Sequence, residues 1–278
     1  MTVPSTASSV FRQVHGLDVL TWPVFDAFPL DAVVTTRAGG VSTGAYGTLN
    51  LSLMVGDDPA RVLENRRRAA TALDAGPADL VFAAQVHGNL AQVVGTADRG
   101  RGTVHAADAI PGADVLVTSE PGPILAVLAA DCVPIVLYDP VAHVLACAHA
   151  GWRGTVARAA ASAVAAMESL GAHPGDIVAG VGPAAYPYQV SAEVADAATE
   201  TFGDRAAEVL EPVSPGQWRF ALWAANRIVL REAGVPEANI HLTDVPTGPP
   251  STPFFSHRAE QPCGRFAAIA RLHQKESR

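Results

Sequence analysis

The sequence predicts an α/β fold in one large domain, with mixed sheets facing helices. The 278 residues are 49% hydrophobic, enough to bury a sizeable core. Short β-prone apolar runs alternate with alanine-rich helical stretches and Gly/Pro-rich turns, the pattern of layered sheets and helices. No fixed-period repeat, heptad pattern or long linker divides the chain. Residues 1–30 read as an N-terminal segment leading into the domain, 31–273 as the domain itself and 274–278 as a polar tail.

Taken in order, residues 32–36 are a β-prone run that feeds the loop Ala38-Gly39-Gly40-Val41-Ser42-Thr43-Gly44, expected to shape a pocket edge ahead of Asn50. Asp57-Asp58-Pro59 supplies a capping carboxylate and a first-turn proline, opening a helix to about Leu73. Strand-like runs then crowd residues 81–86, 90–94, 114–118, 124–129, 133–138 and 144–148, which implies a large buried sheet system. After the turn Gly151-Trp152-Arg153-Gly154, the alanines of 155–170 favour helix, closed by Gly171 and Pro174. Residues 177–181 read as strand, 192–202 and 220–233 as helices, and 265–272 as strand.

Composition removes several functional classes. A charged fraction of 17% and a net charge of −8 leave no basic field for a nucleic-acid backbone. The Ser/Thr-rich stretch 1–11 lacks the basic and apolar regions of a secretory signal. Asp131, Pro134, Asp139 and Pro140 interrupt the most apolar region before about 18 clean residues accumulate, so no membrane span is expected. Three cysteines do not make a disulfide framework. The expected location is the reducing cytoplasm.

Imidazole and thiolate are the ligands zinc prefers, and a catalytic site takes three of them while keeping a position open. His87, Cys132 and His149 each fall at a strand end or strand-to-turn junction, too far apart for a small zinc knuckle but suited to loops converging on a pocket. Singly, each has a bland role as a buried cysteine or a satisfied histidine. Cys147 competes with Cys132, because period two puts it on the strand face of His143 and His149. Spacing leaves both open; Asp131 and Pro134 mark a special backbone around Cys132, whereas Cys147 sits among Ala and Leu as a core residue would.

Five segments together carry a more specific signal: Thr35-Thr36-Arg37-Ala38-Gly39-Gly40-Val41-Ser42, Gln85-Val86-His87-Gly88, Ala130-Asp131-Cys132-Val133-Pro134, His149-Ala150-Gly151-Trp152-Arg153-Gly154, and Phe254-Phe255-Ser256-His257-Arg258 with Gly264-Arg265. In this order they resemble the YfiH or laccase-domain family, also called polyphenol oxidase-like or peptidoglycan editing factor, over residues 33–272. The resemblance implies a single-domain α/β/β/α layered fold and zinc held by His87, Cys132 and His149. It also implies phosphorolysis of adenosine, inosine, guanosine and methylthioadenosine, with adenosine deamination as well. Family members often carry a further cysteine shortly before the Phe-Phe-Ser segment, and residues 244–253 have none.

Deamination needs water to attack C6 of adenine, and zinc lowers the pKa of water it binds. Asp131 is the expected proton carrier, with Asp114 the alternative and backbone hydrogen bonding the competing role for both. Phosphorolysis needs a donor-rich pocket for phosphate. Arg37, Arg153, Arg258 and Arg265 all lie in Gly-rich or turn contexts, and the guanidinium forks of Arg37 and Arg265 are the favoured phosphate ligands. Gln85, Asn50 and Arg258 complete the expected substrate contacts, with a turn cap the bland role for Asn50. Phe254 or Phe255 would stack on a purine or else fill the core. Three other functions compete: a Cys132–His149 amidase-type hydrolase editing peptidoglycan precursors, a copper polyphenol oxidase, and a non-catalytic partner module. Nine scattered histidines without a His-X-His pair argue against coupled copper centres.

Overall fold

The computed structural model describes residues 8–248 and 252–275; residues 1–7 of the Ser/Thr-rich start, 249–251 of the cysteine-free segment and 276–278 of the polar tail lie outside it. In chain order the first elements are β1 (Val10–Val14), β2 (Leu17–Thr21), β3 (Leu30–Thr35), α1 (Pro59–Thr71), β4 (Leu80–Ala84), β5 (Ala91–Val93), β6 (Ile110–Pro111) and β7 (Val115–Thr118). The middle of the chain holds β8 (Ile124–Ala129), β9 (Val133–Asp139), β10 (Val144–Ala150), α2 (Trp152–Val156), α3 (Ala159–Glu168), β11 (Val178–Val181), β12 (Ala184–Ala185) and β13 (Gln189–Ser191). Then follow α4 (Ala192–Phe202), β14 (Leu210–Ser214), β15 (Gln217–Phe220), α5 (Leu222–Glu232), β16 (Ile240–Leu242), β17 (Pro246–Thr247) and β18 (Phe266–Leu272).

Two mixed sheets form the body of the molecule: a seven-stranded sheet ordered β1-β2-β3-β18-β8-β4-β6 and a six-stranded sheet ordered β16-β11-β9-β10-β7-β5. Side-chain alternation decides how they stack. On β10, Leu145 and Cys147 point into the core between the sheets, against Leu125 and Val127 of β8, while Val144, Ala146 and Ala148 face α3 and α5. The outer face of the seven-stranded sheet buries Phe82, Ala126 and Ile269 against Ala69, Ala70 and Leu73 of the α1 region. The layers are therefore α/β/β/α. Because β8, β9 and β10 are covered on both faces, they read as continuous apolar runs. Each fully buried Leu or Val on them contributes ~1.5–3 kcal/mol relative to exposure.

The structure departs from the expected elements where burial or backbone geometry overrides local propensity. Residues 10–21, expected within a lead-in, are β1 and β2 and extend the seven-stranded sheet, since Leu17, Val19 and Leu20 are apolar enough to be buried there. The single helix expected over 155–170 is two, α2 and α3, separated where Arg158 turns left-handed at φ 62°. Phe220 ends β15, which belongs to a small sheet ordered β13-β15-β14, and α5 starts only at Leu222. No helix among the described residues is long and apolar enough to cross a membrane.

Candidate active site and metal centre

The three donor residues come from three different junctions of the two sheets. His87 follows the end of β4 in the seven-stranded sheet, Cys132 sits where the chain crosses from β8 to β9 in the other sheet, and His149 is near the end of β10. Both bends are left-handed, with φ 63° at His87 and 87° at Asp131. One ligand atom from each of His87, Cys132 and His149 lies within 4.8 Å of the others, and this is the only such group among the described residues. The two imidazole rings meet edge-on with centroids 5.0 Å apart.

Asp114, fully buried just before β7, organises this cluster. Its carboxylate accepts backbone N–H bonds from Val86, His87 and Gly88 at 3.1, 3.0 and 2.7 Å. It also sits 2.8 Å from His149 Nδ1, which directs Nε2 towards the other donors, the carboxylate–histidine arrangement that orients metal ligands. Burial alone would raise the Asp114 pKa, but the bonds to His149, Gly88 and Val86 outweigh it and hold the group below its ordinary value. The neighbouring charges act on the thiol too: burial opposes ionisation, yet the adjacent imidazoles draw Cys132 down to about 6. Burial would lower the His149 pKa, but Cys132 and Asp114 lift it to about 9. A thiolate between two imidazoles is a donor set that suits a borderline-soft dication.

Cys147 is settled as a core residue. It is buried between the sheets, its Sγ 3.9 Å from the Leu125 carbonyl, and burial raises its pKa.

The cluster opens onto a cavity of about 1130 Å³ whose wall includes Gln85, Asp131, Tyr188, Arg258 and Arg265. Several of these side chains are tied to the frame. Gln85 continues the β4–β8 ladder past the strand end, accepting from Leu128 N–H at 2.8 Å and donating to its carbonyl at 2.9 Å. Both Asp131 oxygens are engaged, one accepting from the Thr247 hydroxyl at 2.6 Å and the other from Arg258 N–H at 2.7 Å. This carboxylate clamps two loops instead of standing free as a proton carrier, and Asp114 is equally committed. Arg265 donates from Nη1 to the carbonyls of Cys263 and Gly264 at 3.0 and 2.9 Å. Exposed Arg258 lies over the Tyr188 ring, 4.7 Å from its centroid.

Two expected substrate residues lie outside this cavity. Arg37 stacks on Phe255 at 4.7 Å and pairs with Glu260 at 3.1 Å beside a much smaller pocket, because a carboxylate and an aromatic face there both attract its guanidinium. Asn50 is fully buried, its amide spent on Ser52, Asp57 and the Arg265 backbone. Phe254 and Phe255 belong to the core between the sheets. Arg153 reaches the cavity wall but lies over Trp152 at 4.2 Å, with Glu193 at 3.8 Å.

Sequence reasoning missed Tyr188, which followed no pattern, and the part played by Gly151. A Cβ at Gly151 would stand 2.7 Å from Cys132 Sγ and 3.3 Å from His87 Cδ2, so a side chain there would press on the cluster.

The family model for multi-copper polyphenol oxidoreductase laccase matches residues 31–273. The chain belongs to this laccase-like family. Among its relatives, the Geobacillus stearothermophilus protein named purine nucleoside phosphorylase YlmD is 40% identical over 243 residues, 86% of this chain and 88% of that one. The Streptomyces griseus protein named purine nucleoside phosphorylase ORF3 is 40% identical over 249 residues, 86% of this chain and 92% of that one. The crystal structure of YlmD from Geobacillus stearothermophilus superposes with TM-score 0.90 at 37% identity, covering 96% of this chain and all of that one (100%). That of the Bacillus licheniformis hypothetical protein YfiH gives 0.89 at 33%, covering 94% and 98%. The mixed α/β fold expected from the order of strand-like and helical runs is thus the fold shared with YlmD and YfiH.

Proposed function

We propose that the chain is a zinc-dependent purine nucleoside phosphorylase of the cytoplasm, acting on adenosine, inosine, guanosine and methylthioadenosine, with adenosine deaminase activity at the same centre. The observation that carries this reading is the three-donor cluster of His87, Cys132 and His149 at the wall of a cavity of about 1130 Å³, in a chain whose relatives are named purine nucleoside phosphorylases. The donors fit zinc, since Asp114 fixes one imidazole and the thiol is drawn towards thiolate. When bound, zinc would supply Lewis acidity and activate water. One three-donor group among the described residues does not provide the ligands of a multicopper oxidase.

The chain's own residues would do the rest. Tyr188 and Trp152 bring aromatic rings to the cavity wall, each with an arginine over one face, and the other face would be the one to meet a purine. Arg258 and Arg265 bring guanidinium donors to it. Burial raises the Tyr188 pKa, and its phenol at the cavity wall can donate to a purine nitrogen as the base departs. The test incubates zinc-quantified protein with adenosine and inosine, with and without phosphate, and identifies the products. Hypoxanthine and ribose 1-phosphate from inosine only with phosphate support the reading; no turnover under any condition rejects it.

A second reading rests on the Cys132–His149–Asp114 alignment, which also suits a cysteine nucleophile with an oriented base. An amidase-type hydrolase editing peptidoglycan precursors would use it. Chelation separates the two: a thiol hydrolase survives metal removal, and the phosphorylase does not.

A further inference from the structure

We infer that Arg66 and Ser52 form an oxyanion subsite in the cavity wall, one that takes the phosphate co-substrate. Calling the anion a co-substrate rests on the phosphorylase reading; the subsite itself rests on the geometry.

Arg66 is 2% exposed yet lines the cavity. Its position is over-determined. Nε donates to the Leu51 carbonyl at 2.8 Å, and Nη1 donates to those of Gly102 and Thr103 at 2.5 and 2.7 Å. The plane of the guanidinium rests on Phe82, 3.9 Å from the ring centroid. The receiving loop is itself anchored, because Thr103 Oγ1 donates to the Leu80 carbonyl at 3.1 Å. Gly102, at φ 71°, packs so closely on Phe82 and Ala109 that a Cβ would approach each to 2.9 Å.

What this cradle leaves out is a counter-ion. No carboxylate pairs with Arg66 among the described residues, and no hydrogen bond is formed there by Nη2. A buried, unpaired charge is costly, and the cost shows in a guanidinium pKa lowered to about 9 by burial alone. An anion in the cavity offsets it, and Nη2, whose two hydrogens are the guanidinium donors not spent on carbonyls, can give them to an oxyanion.

Ser52 supplies a second donor. It is 4% exposed, lines the same cavity, and follows the residue whose carbonyl receives Arg66 Nε. Its Oγ accepts from Met54 N–H at 3.1 Å, while its own O–H has no acceptor among the described residues. The metal cluster lies within reach along the same wall. Phe82, beneath the guanidinium, is five residues before His87, so their Cα atoms are at most about 18 Å apart.

The test measures inorganic phosphate binding to zinc-loaded wild-type protein, Arg66→Lys, Arg66→Met and Ser52→Ala by calorimetry, with melting curves to confirm folding. Arg66→Lys should weaken phosphate roughly tenfold or more, Arg66→Met should abolish binding, and Ser52→Ala should weaken it by a few fold. Phosphate-soaked crystals of the wild type give a readout that needs no variant, and the anion should lie on Arg66 Nη2 and Ser52 Oγ. Wild-type affinity in folded Arg66→Lys and Ser52→Ala, an anion held only by Arg258 and Arg265, or no phosphate bound at all would each overturn the subsite. The two readings fail separately. Phosphorolysis with an unchanged KM for phosphate in Arg66→Lys sinks the subsite and spares the phosphorylase, whereas phosphate bound at Arg66 without turnover of any nucleoside does the reverse.

Discussion

Gly151 lets the end of β10 come against Cys132 without pressing on it, and a methyl group would take the space beside Sγ. Gly151→Ala is therefore expected to fold and to lose most of its bound zinc, measured by elemental analysis after gel filtration; full metal occupancy would show that the loop gives way. Cys132→Ala should lose the metal and Cys147→Ala should keep it, because only the first thiol stands with the two imidazoles. The reverse result would transfer the ligand to the inter-sheet core. Asp114→Asn removes the charge beside His149 and replaces one of two acceptor oxygens with a donor, so either the His149 and His87 bonds or the Val86 and Gly88 bonds are lost; zinc affinity should drop by about 10–100-fold, read by competition with a chelator, and unchanged affinity would reduce Asp114 to a core residue. That His87, Cys132 and His149 would cluster was legible from the five family-like segments taken together, since singly a histidine or cysteine at a strand end has a bland role. Arg37 and Asn50 were not. A guanidinium or amide in a turn looks the same in sequence whether it faces a cavity or meets Glu260, or Asp57 and Ser52, across the loop.

Helix α1 was legible from its ends: Asp58 Oδ1 accepts from Ala60 N–H at 2.9 Å and Pro59 opens the first turn, as the sequence expected. Asp58→Ala should cost about 1 kcal/mol of stability in urea denaturation, and an unchanged midpoint would mean that the packed face alone holds the helix. The same helix carried a signal that went unused. Its buried positions are Val62, Asn65, Arg66, Ala69 and Ala70, so two polar residues stand where helical period calls for apolar ones. Asn65 accepts from Val41 N–H and donates to Ser42, Thr48 and Asn50, pinning the glycine-rich loop, and Arg66 reaches the cavity. The break between α2 and α3 left no mark of that kind, since an alanine-rich run with Arg158 inside it favours continuous helix; in the fold Arg158 turns left-handed there and its side chain pairs with Glu232 at 2.7 Å. The small sheet ordered β13-β15-β14 was equally silent, because β14 is mostly exposed and gives no period-two contrast.

At the scale of the whole molecule, the candidate metal centre joins the two sheets at the ends of their strands. His87 leaves the seven-stranded sheet, His149 belongs to the six-stranded sheet, and Cys132 lies on the crossing between them. The inter-sheet core of Leu125, Val127, Leu145 and Cys147 already holds the layers together, so the fold does not wait for metal as a zinc finger does. Binding to the native state alone still adds stability by mass action. With free zinc at 100 times its Kd, the gain is about 2.7 kcal/mol, worth roughly 5–10 °C in Tm for a domain of this size. Chelation should lower the Tm by that amount and zinc should restore it. The protection should appear on both sheets, as slower amide exchange in Val86, His87 and Gly88, whose N–H groups all point to Asp114, and at the end of β10. His149→Ala should abolish the zinc-dependent shift while leaving a cooperative transition, because the packed layers remain. If instead the wild-type Tm ignores chelation, or His149→Ala keeps the full shift, the metal does not bridge the sheets through these residues and the centre must be sought elsewhere.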